Sequence, residues 1–439
     1  MMKKQEMLYK AGLTAMIWIL VFQNPLESVW SPFSYIDEGM ALFGAFLGLY
    51  DIVFVRKFRP SKDQLWMGIP LLAFVIIGLA GNLIYQYQPL KCVIIDLYTN
   101  LKFFFAIGTG YYLFARLSWE ETEKVVRWNS AVITTILFIL FLVDQIFHFW
   151  PAQIKYGIYS AQLFYYHMTY LAAVMSFLLV LQTVFYQKKN IPFLIMAVIV
   201  MAFTLRSKAI ASAAIYVAMF IFFVVLKWHL KLWHVIVTGV GVAVLGWEKI
   251  WVYFFYNAGK SARSIMLSKS FLVMRDHAPI GSGFGTYGSA EAGKHYSPVY
   301  VKYGFNDHFF VRDVRDVENT MRLIHEDEEI MARYQLNPEW WLHRESYMND
   351  HFWPIIFGQG GYLGTAAFLA TLAVLVKKIF ALEKINLFAY VGVLYAFVYL
   401  LISSTAEPAF HNALAVPLAV VTGMAFAFAD AQKKETENG

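Results

Sequence analysis

Cysteine is almost missing from this chain: Cys92 is the only one in 439 residues. One thiol forms no intramolecular disulfide and no cysteine-based zinc cluster, so Cys92 reads as a packing residue. Charge is scarce too, at 15% of residues against roughly a quarter in soluble domains. A surface that poor in charge does not suit a water-soluble globule. No small-residue cleavage site follows the first apolar block, and Glu27 and Trp30 run straight on toward the second. That block is therefore expected to be retained rather than removed as a leader.

What fills the chain is apolar: 59% hydrophobic and 18% aromatic residues, with a mean hydropathy of +0.52. A membrane-spanning helix needs about 20 apolar residues. Twelve segments qualify: 8–24, 34–55, 65–85, 93–115, 129–150, 163–186, 191–205, 208–227, 232–254, 352–376, 385–404 and 413–431, the seventh being short. The expected class is an all-α polytopic membrane protein. Helices one to nine occupy 1–254, a large loop with amphipathic helices 255–350, helices ten to twelve 351–431, and a tail 432–439.

The net charge of +6 matters less than its placement, and it implies no nucleic-acid partner. Cations recur in every second short connection: Arg56, Lys57, Arg59 and Lys62; Arg116, Lys124 and Arg127; Lys188 and Lys189; Lys227 and Lys231; Lys377, Lys378 and Lys384; Lys433 and Lys434. This positive-inside alternation predicts that both termini are cytoplasmic. Two regions break it on the outer side. One is the turn "TLRSKAIAS", with Arg206 and Lys208; the other is the long connection 255–350, with eleven Lys/Arg, thirteen Asp/Glu and five His. A connection of that length is a functional element rather than a tether. Within it "SARSIMLSKSFLVMRDH" has amphipathic helical spacing, with Arg263, Lys269 and Arg275 among apolar residues. The plain reading is a helix on the membrane surface, its basic side toward lipid phosphates.

"MRDHAPIGSGFGTYG" follows, with Gly281, Gly283 and Gly285 at alternate positions. A dinucleotide fingerprint needs a strand before its glycines and a helix after them. Here a helix precedes, Pro279 ends it and no βαβ unit follows, so these glycines make a turn that tolerates positive φ and close backbone approach. The turn either fits a loop closely to the membrane domain or belongs to a functional motif.

Three elements in order carry a resemblance: the turn Arg206-Ser207-Lys208 opening a span, Arg263 followed by a helix and "PIGSGFG", and "DHFWPIIFGQGGYLG" from Asp350 to Gly364. Together they resemble the O-antigen ligase and Wzy polysaccharide polymerase superfamily. The third element departs from the family pattern, with Asp350 in place of the usual histidine and Gln359 where glutamate is common. The resemblance implies a GT-C-like membrane glycosyltransferase in a bacterial plasma membrane, with its large loop extracytoplasmic. Its substrates would be undecaprenyl-diphosphate-linked oligosaccharides, and its partners the bilayer and a chain-length regulator and flippase of the same pathway. The resemblance implies no metal and no other cofactor.

That chemistry assigns roles. A departing lipid diphosphate gathers negative charge, which positioned arginines stabilise; Arg206, Lys208, Arg263 and Arg275 are the outer-side candidates. For Arg275 the plain alternative is an ion pair with Asp276, and for Lys208 a side chain snorkelling to headgroups. An attacking hydroxyl needs a base, for which Asp350 and His351 lead, with Glu345 and His343 behind. His351 also reads as a belt histidine beside Trp353, and Glu345 as the ion partner of Arg344. Glu407 and His411 in "STAEPAFHN" are candidates to complete the cavity. Tyr287, Tyr296, Trp340 and Trp341 are candidate faces for stacking sugars, or else belt aromatics. The acidic run Glu326–Glu329 reads as a solvated helix face. Direct displacement by the hydroxyl inverts the anomeric centre.

The leading expectation is a repeat-unit polymerase for a capsule or exopolysaccharide. The alternatives are a ligase with a different acceptor and, from another class, a lipid-linked oligosaccharide flippase. Against the flippase, no internal repeat is evident and the ionisable residues are expected to gather at the outer face rather than at mid-membrane. The outer Asp motif expected of a peptidoglycan polymerase is not evident either, and a mere anchor leaves the outer arginines unexplained.

Overall fold

Inside a bilayer every backbone polar group must find its partner within protein, and an apolar block therefore folds as helix. The computed structural model describes residues 2–57, 59, 62–114, 118–150, 152–155, 157–228, 262–295, 297–305 and 351–438. Helices α1 (Met2–Val29), α2 (Ile36–Tyr50), α3 (Lys62–Tyr85), α4 (Leu90–Phe114) and α5 (Trp119–Phe147) come first. Then follow α6 (Met168–Val184), α7 (Ile191–Phe203), α8 (Ser207–Met219), α9 (Ala262–Asp276), α10 (Ala290–Lys294) and α11 (Pro298–Lys302). The chain closes with α12 (Phe352–Leu382), α13 (Leu387–Ser403) and α14 (Ala415–Asn438). A single π turn extends α2 through Val55 and another extends α8 through Val225. The described strands are one small antiparallel hairpin, Ile154 opposite Tyr159 and Lys155 opposite Ile158.

Among the described residues six helices are long and apolar enough to cross a membrane: Ser31–Val55, Gln64–Tyr85, Trp119–Phe147, Ser207–Val225, Phe352–Leu382 and Ala415–Lys433. The chain is all-α and membrane-embedded. Of the other expected spans, 8–24 and 93–115 fall on α1 and α4, which carry ionisable residues, and 163–186, 191–205 and 385–404 fall on the shorter α6, α7 and α13. Segment 232–254 lies outside the described residues.

Local signals set the ends. Ser118 caps α5, accepting from the Glu121 N–H, and Asn386 caps α13 through Phe388 and Ala389 N–H at 2.9 and 3.0 Å. Because lipid is as apolar as leucine, helices here associate through close packing at small residues. A methyl group on Gly110 would overlap the Val420 carbonyl, and one on Gly44 the Phe105 carbonyl. So α4 is clasped between α2 and α14.

The two ends of the bundle differ. At one, Trp119 stacks on Phe185 and Phe428, Gln187 reaches Glu123, and Lys10 pairs with Glu121. At the other, Tyr165 donates to Val21 O, the Tyr166 N–H to Asn24, Ala161 N–H to Phe203 O, and Phe352 N–H to Ser404 O. This second end holds the site.

One helix is broken. At Gly361 of α12 φ is 59° and ψ is −155°, so Leu363 N–H leaves the helical ladder and donates to Pro279 O at 3.0 Å. The carbonyls this frees, on Gly358 and Gln359, accept from the Ser282 and Gly283 N–H at 3.0 and 3.1 Å. Gly281, Gly283 and Gly285 all have positive φ (76°, 94° and 74°). The glycine turn therefore supplies the hydrogen bonds that a broken helix would otherwise lack, and it is buried throughout. Asn82 of α3 holds it from the other side, accepting from Phe284 N–H and donating to Phe284 O, both at 2.8 Å.

Helix α9 packs on α12. Its Lys269 donates to Tyr303 O at 2.5 Å and Gly304 O at 2.9 Å and lies 4.5 Å from the Phe305 ring centre. The expectation that its basic side turns to lipid phosphates fails at Lys269, because nearby backbone carbonyls are its partners.

Candidate functional site

The connection between α7 and α8 is one tight turn. Leu205 sits at φ 52°, a left-handed conformation rare for a branched side chain, and Arg206 follows in an extended one. This turn points Arg206 toward the start of α6, where its Nη2 lies 3.2 Å from His167 Nε2. His167 in turn caps α6 through Nδ1, which accepts from Thr169 N–H at 3.2 Å. A neutral imidazole has one lone pair, and two donors converge on it here; this contact leaves the guanidinium's positive charge in place. Two residues on, Lys208 Nζ meets Glu407 Oε1 at 2.6 Å, both side chains being mostly buried. His351 lies buried at the N-cap of α12, next to Phe352, whose ring packs against that of His411 at 5.1 Å between centres.

His411 also lines a cavity of about 210 Å³, whose other walls come from α1, α2, α4, α6 and the turn before α14. Its polar wall comprises Gln23, Asn24, Glu27, Asp37, Glu38, Lys102, His411 and Asn412; Tyr165, Tyr170 and Phe177 face them. Lys102 is only 5% exposed and pairs with Asp37 Oδ2 at 2.7 Å and Glu38 Oε1 at 3.4 Å. Gln23 Nε2 donates to the other Asp37 oxygen at 2.7 Å. By the helical rise, Lys102 lies about 18 Å along α4 from Leu90, deep in a helix flanked by apolar neighbours. Tyr170 stands one turn of α6 below His167, which joins the cavity to the Arg206 rim.

A relay leads from the glycine turn into this cavity. Gly285 N–H donates to Asp96 Oδ2 at 2.9 Å. Asn100 Nδ2 donates to the same oxygen at 3.1 Å and to Asp96 O at 2.9 Å. Its amide oxygen is thereby left to accept from His411 Nε2 at 3.1 Å. This fixes the histidine tautomer: Nε2 carries the proton and Nδ1 keeps its lone pair. Burial, together with the Lys102 charge, pushes the His411 imidazole down to about 3, so it is neutral at physiological pH.

A second cluster adjoins the turn: one ligand atom each from Cys92, Glu291 and His295 falls within 4.8 Å of the others. Lys294 and His295 both approach the Glu291 carboxylate at 3.7 Å.

The sequence-stated candidates divide as follows. Arg206, Lys208, Glu407, His411 and His351 come together at one end of the bundle. Arg275 is exposed and pairs with Asp276 at 2.9 Å, the plain alternative stated for it. Lys208 pairs with Glu407 instead of reaching outward unpaired. Tyr287 is wholly buried, donates to Met266 O at 2.5 Å and packs against Gly358, so it presents no face for a sugar. Arg263 lies in the first turn of α9, where only the backbone is described. Asp350, Glu345, His343, Tyr296, Trp340, Trp341 and Glu326–Glu329 lie outside the described residues.

Sequence reasoning missed Asp37, Glu38, Asp96 and Lys102. The signal was present: all four are ionisable residues inside the apolar segments 34–55 and 93–115, and such residues mark function by default. The expectation that ionisable residues gather only at the rim is corrected by Lys102 and Asp96. Compared with known proteins, the chain matches no protein-family model and no curated protein.

Proposed function

We propose that this chain is a polysaccharide repeat-unit polymerase, a membrane glycosyltransferase that moves a growing glycan from undecaprenyl diphosphate to a sugar hydroxyl of another lipid-linked repeat unit. In this reading the chain crosses a bacterial plasma membrane twelve times with both termini cytoplasmic, and the cavity opens to the outer face. One observation carries it: the cations Arg206 and Lys208 stand at the bundle end remote from the cation-rich connections, beside His167 and Glu407, which lie close in the chain to the cavity-lining Tyr170 and His411.

The chemistry divides between rim and cavity. Arg206 keeps its charge and its planar set of donors, which match a phosphate better than a carbonyl. As the glycosidic bond breaks, its electron pair passes to the diphosphate oxygen, and the rim cations stabilise that charge where it develops. Lys208 reaches the same region with Glu407 setting its position. The hydroxyl attacks from the opposite side of the anomeric carbon, which inverts it.

The test is in vitro elongation by purified protein on a defined lipid-diphosphate oligosaccharide. Arg206→Ala is expected to lower turnover by about 10²–10³, leaving single repeat units, with membrane insertion unchanged. Long polymer from Arg206→Ala at the normal rate removes the diphosphate assignment. Transfer of one block to a different acceptor, without elongation, identifies a ligase instead. A flippase is the second reading, favoured by the helix break at Gly361 and the deep charges around Lys102. It would carry the lipid-linked glycan across vesicle membranes without changing its length.

A further inference from the structure

We propose that the cavity floored by Asp37, Glu38 and Lys102 is the acceptor-sugar subsite, and that Glu38 takes the proton from the attacking hydroxyl. This assignment rests on the transferase reading above and gives it a base that the sequence motifs did not supply.

The cavity is rich in acceptors. Two carboxylates face one ammonium, and their capacities differ. Asp37 is fully buried, with one oxygen on Gln23 and the other on Lys102, so it is spent. The Glu38 side chain is 34% exposed, its Oε1 lies 3.4 Å from Lys102, the Asp37 carboxylate lies beside it, and its Oε2, shielded from solvent, has no hydrogen-bond partner among the described residues. Two carboxylates matched by one ammonium leave surplus negative charge, and the partly exposed one of the pair calls for donors. His411 adds a lone pair at Nδ1, and Glu27 a further carboxylate at the entrance. A sugar supplies what this wall lacks, a ring of O–H donors, while the partly exposed Tyr170 suits its C–H faces.

Charge and size separate this ligand from the donor's diphosphate. A diphosphate would meet three carboxylates against the one ammonium of Lys102 here, whereas the α7–α8 turn offers it Arg206 and, paired with Glu407, Lys208. At about 210 Å³ the cavity is smaller than the roughly 300–1,000 Å³ of drug-sized sites and fits about one sugar ring. The step balances: the acceptor oxygen bonds to the anomeric carbon, its proton passes to the Glu38 carboxylate, and the carbon–oxygen bond to the diphosphate breaks with its electron pair on the leaving oxygen. The proton leaves to solvent past Glu27.

Two measurements on the full chain in lipid nanodiscs test this. In saturation-transfer NMR the probes are the methyl glycosides of glucose, galactose, mannose and N-acetylglucosamine. At least one is expected to receive saturation from the wild type and at least fivefold less from Asn412→Trp, which fills the cavity. Should that variant fail to fold, Tyr170→Ala, which removes the apolar wall, is expected to give the same loss. No transfer to any of the four, or none lost in the folded variant, overturns the subsite. So does a melting shift with CaCl₂ that vanishes in Glu38→Gln while every glycoside is silent, since the cavity is then a cation site. In the elongation assay Glu38→Gln is expected to lose about 10²–10⁴ in rate while an undecaprenyl-diphosphate photoprobe still cross-links; a full rate overturns Glu38 as base. Glycoside binding by a wild type that forms no product sinks the transferase reading and upholds the sugar subsite.

Discussion

Gly281 and Gly361 meet backbone against backbone, and that contact sets a prediction at single residues. A methyl group on Gly281 would overlap the Gly361 nitrogen, and its φ of +76° is costly for any L side chain. Gly157, at φ +75°, has nothing within 4 Å of the same added atom. Gly157→Ala is therefore expected to cost only the backbone term, about 1 kcal/mol. Gly281→Ala is expected to cost at least about 1–3 kcal/mol more, because the turn must separate from α12; thermal melting of both variants checks the difference. The sequence shows that the three glycines need unusual φ, since no other residue fits such a turn. It does not show why, because Gly361 and the carbonyls it frees lie some eighty residues downstream. Lys102 was legible in another way, as a charge in an apolar block, whereas its partner Asp37 is identified only by the packing of α2 on α4.

Helix α9 illustrates the scale of elements. Its spacing reads as amphipathic, and one side of it packs on α12 while Phe271 and Leu272 stay exposed; nothing local in its sequence shows which side meets protein. His277 follows its last residue, donates from Nδ1 to Val273 O at 2.9 Å and faces Tyr87 Oη at 3.1 Å, Lys302 Nζ at 3.4 Å and Tyr303 Oη at 3.5 Å. Asp276 adjoins it, and the Tyr85 ring lies edge-on at 4.6 Å. Burial holds the imidazole below its usual range, with the Lys302 charge adding to the effect. A histidine kept neutral in the fold binds its proton more readily once unfolded. Its contribution is thus complete above about pH 6.5 and is lost as pH falls toward the lowered value. Melting temperature is expected to drop on acidification from pH 7 to pH 5, with a slope of at most about 1.4 kcal/mol per pH unit from this group. In His277→Gln the slope is expected to flatten; an unchanged slope would mean that other groups cause it.

For the whole molecule, the apolar blocks foretold where helices fall among the described residues, since composition alone decides what a bilayer accepts. Orientation is the claim that remains to be measured. In a Cys92→Ala background, single cysteines at the exposed positions Ser31, Gly157, Lys188 and Lys384 report it with a membrane-impermeant maleimide on spheroplasts. Ser31→Cys and Gly157→Cys are expected to label at once, and Lys188→Cys and Lys384→Cys only after lysis. The reverse pattern would put the rim cations in the cytosol, away from any outer-leaflet donor. The candidate site was only partly readable from sequence for a related reason. Arg206 and Lys208 stand out against the charge alternation, whereas the cavity forms from five separate stretches of chain.

A single oxygen, Asp96 Oδ2, receives both the Gly285 N–H and the Asn100 amide that steers His411. Seating of the turn and aim of the imidazole are consequently one mechanical variable. A guest that tugs on His411 also loosens or tightens the patch over the interrupted helix, and occupancy would be felt well away from where the guest sits.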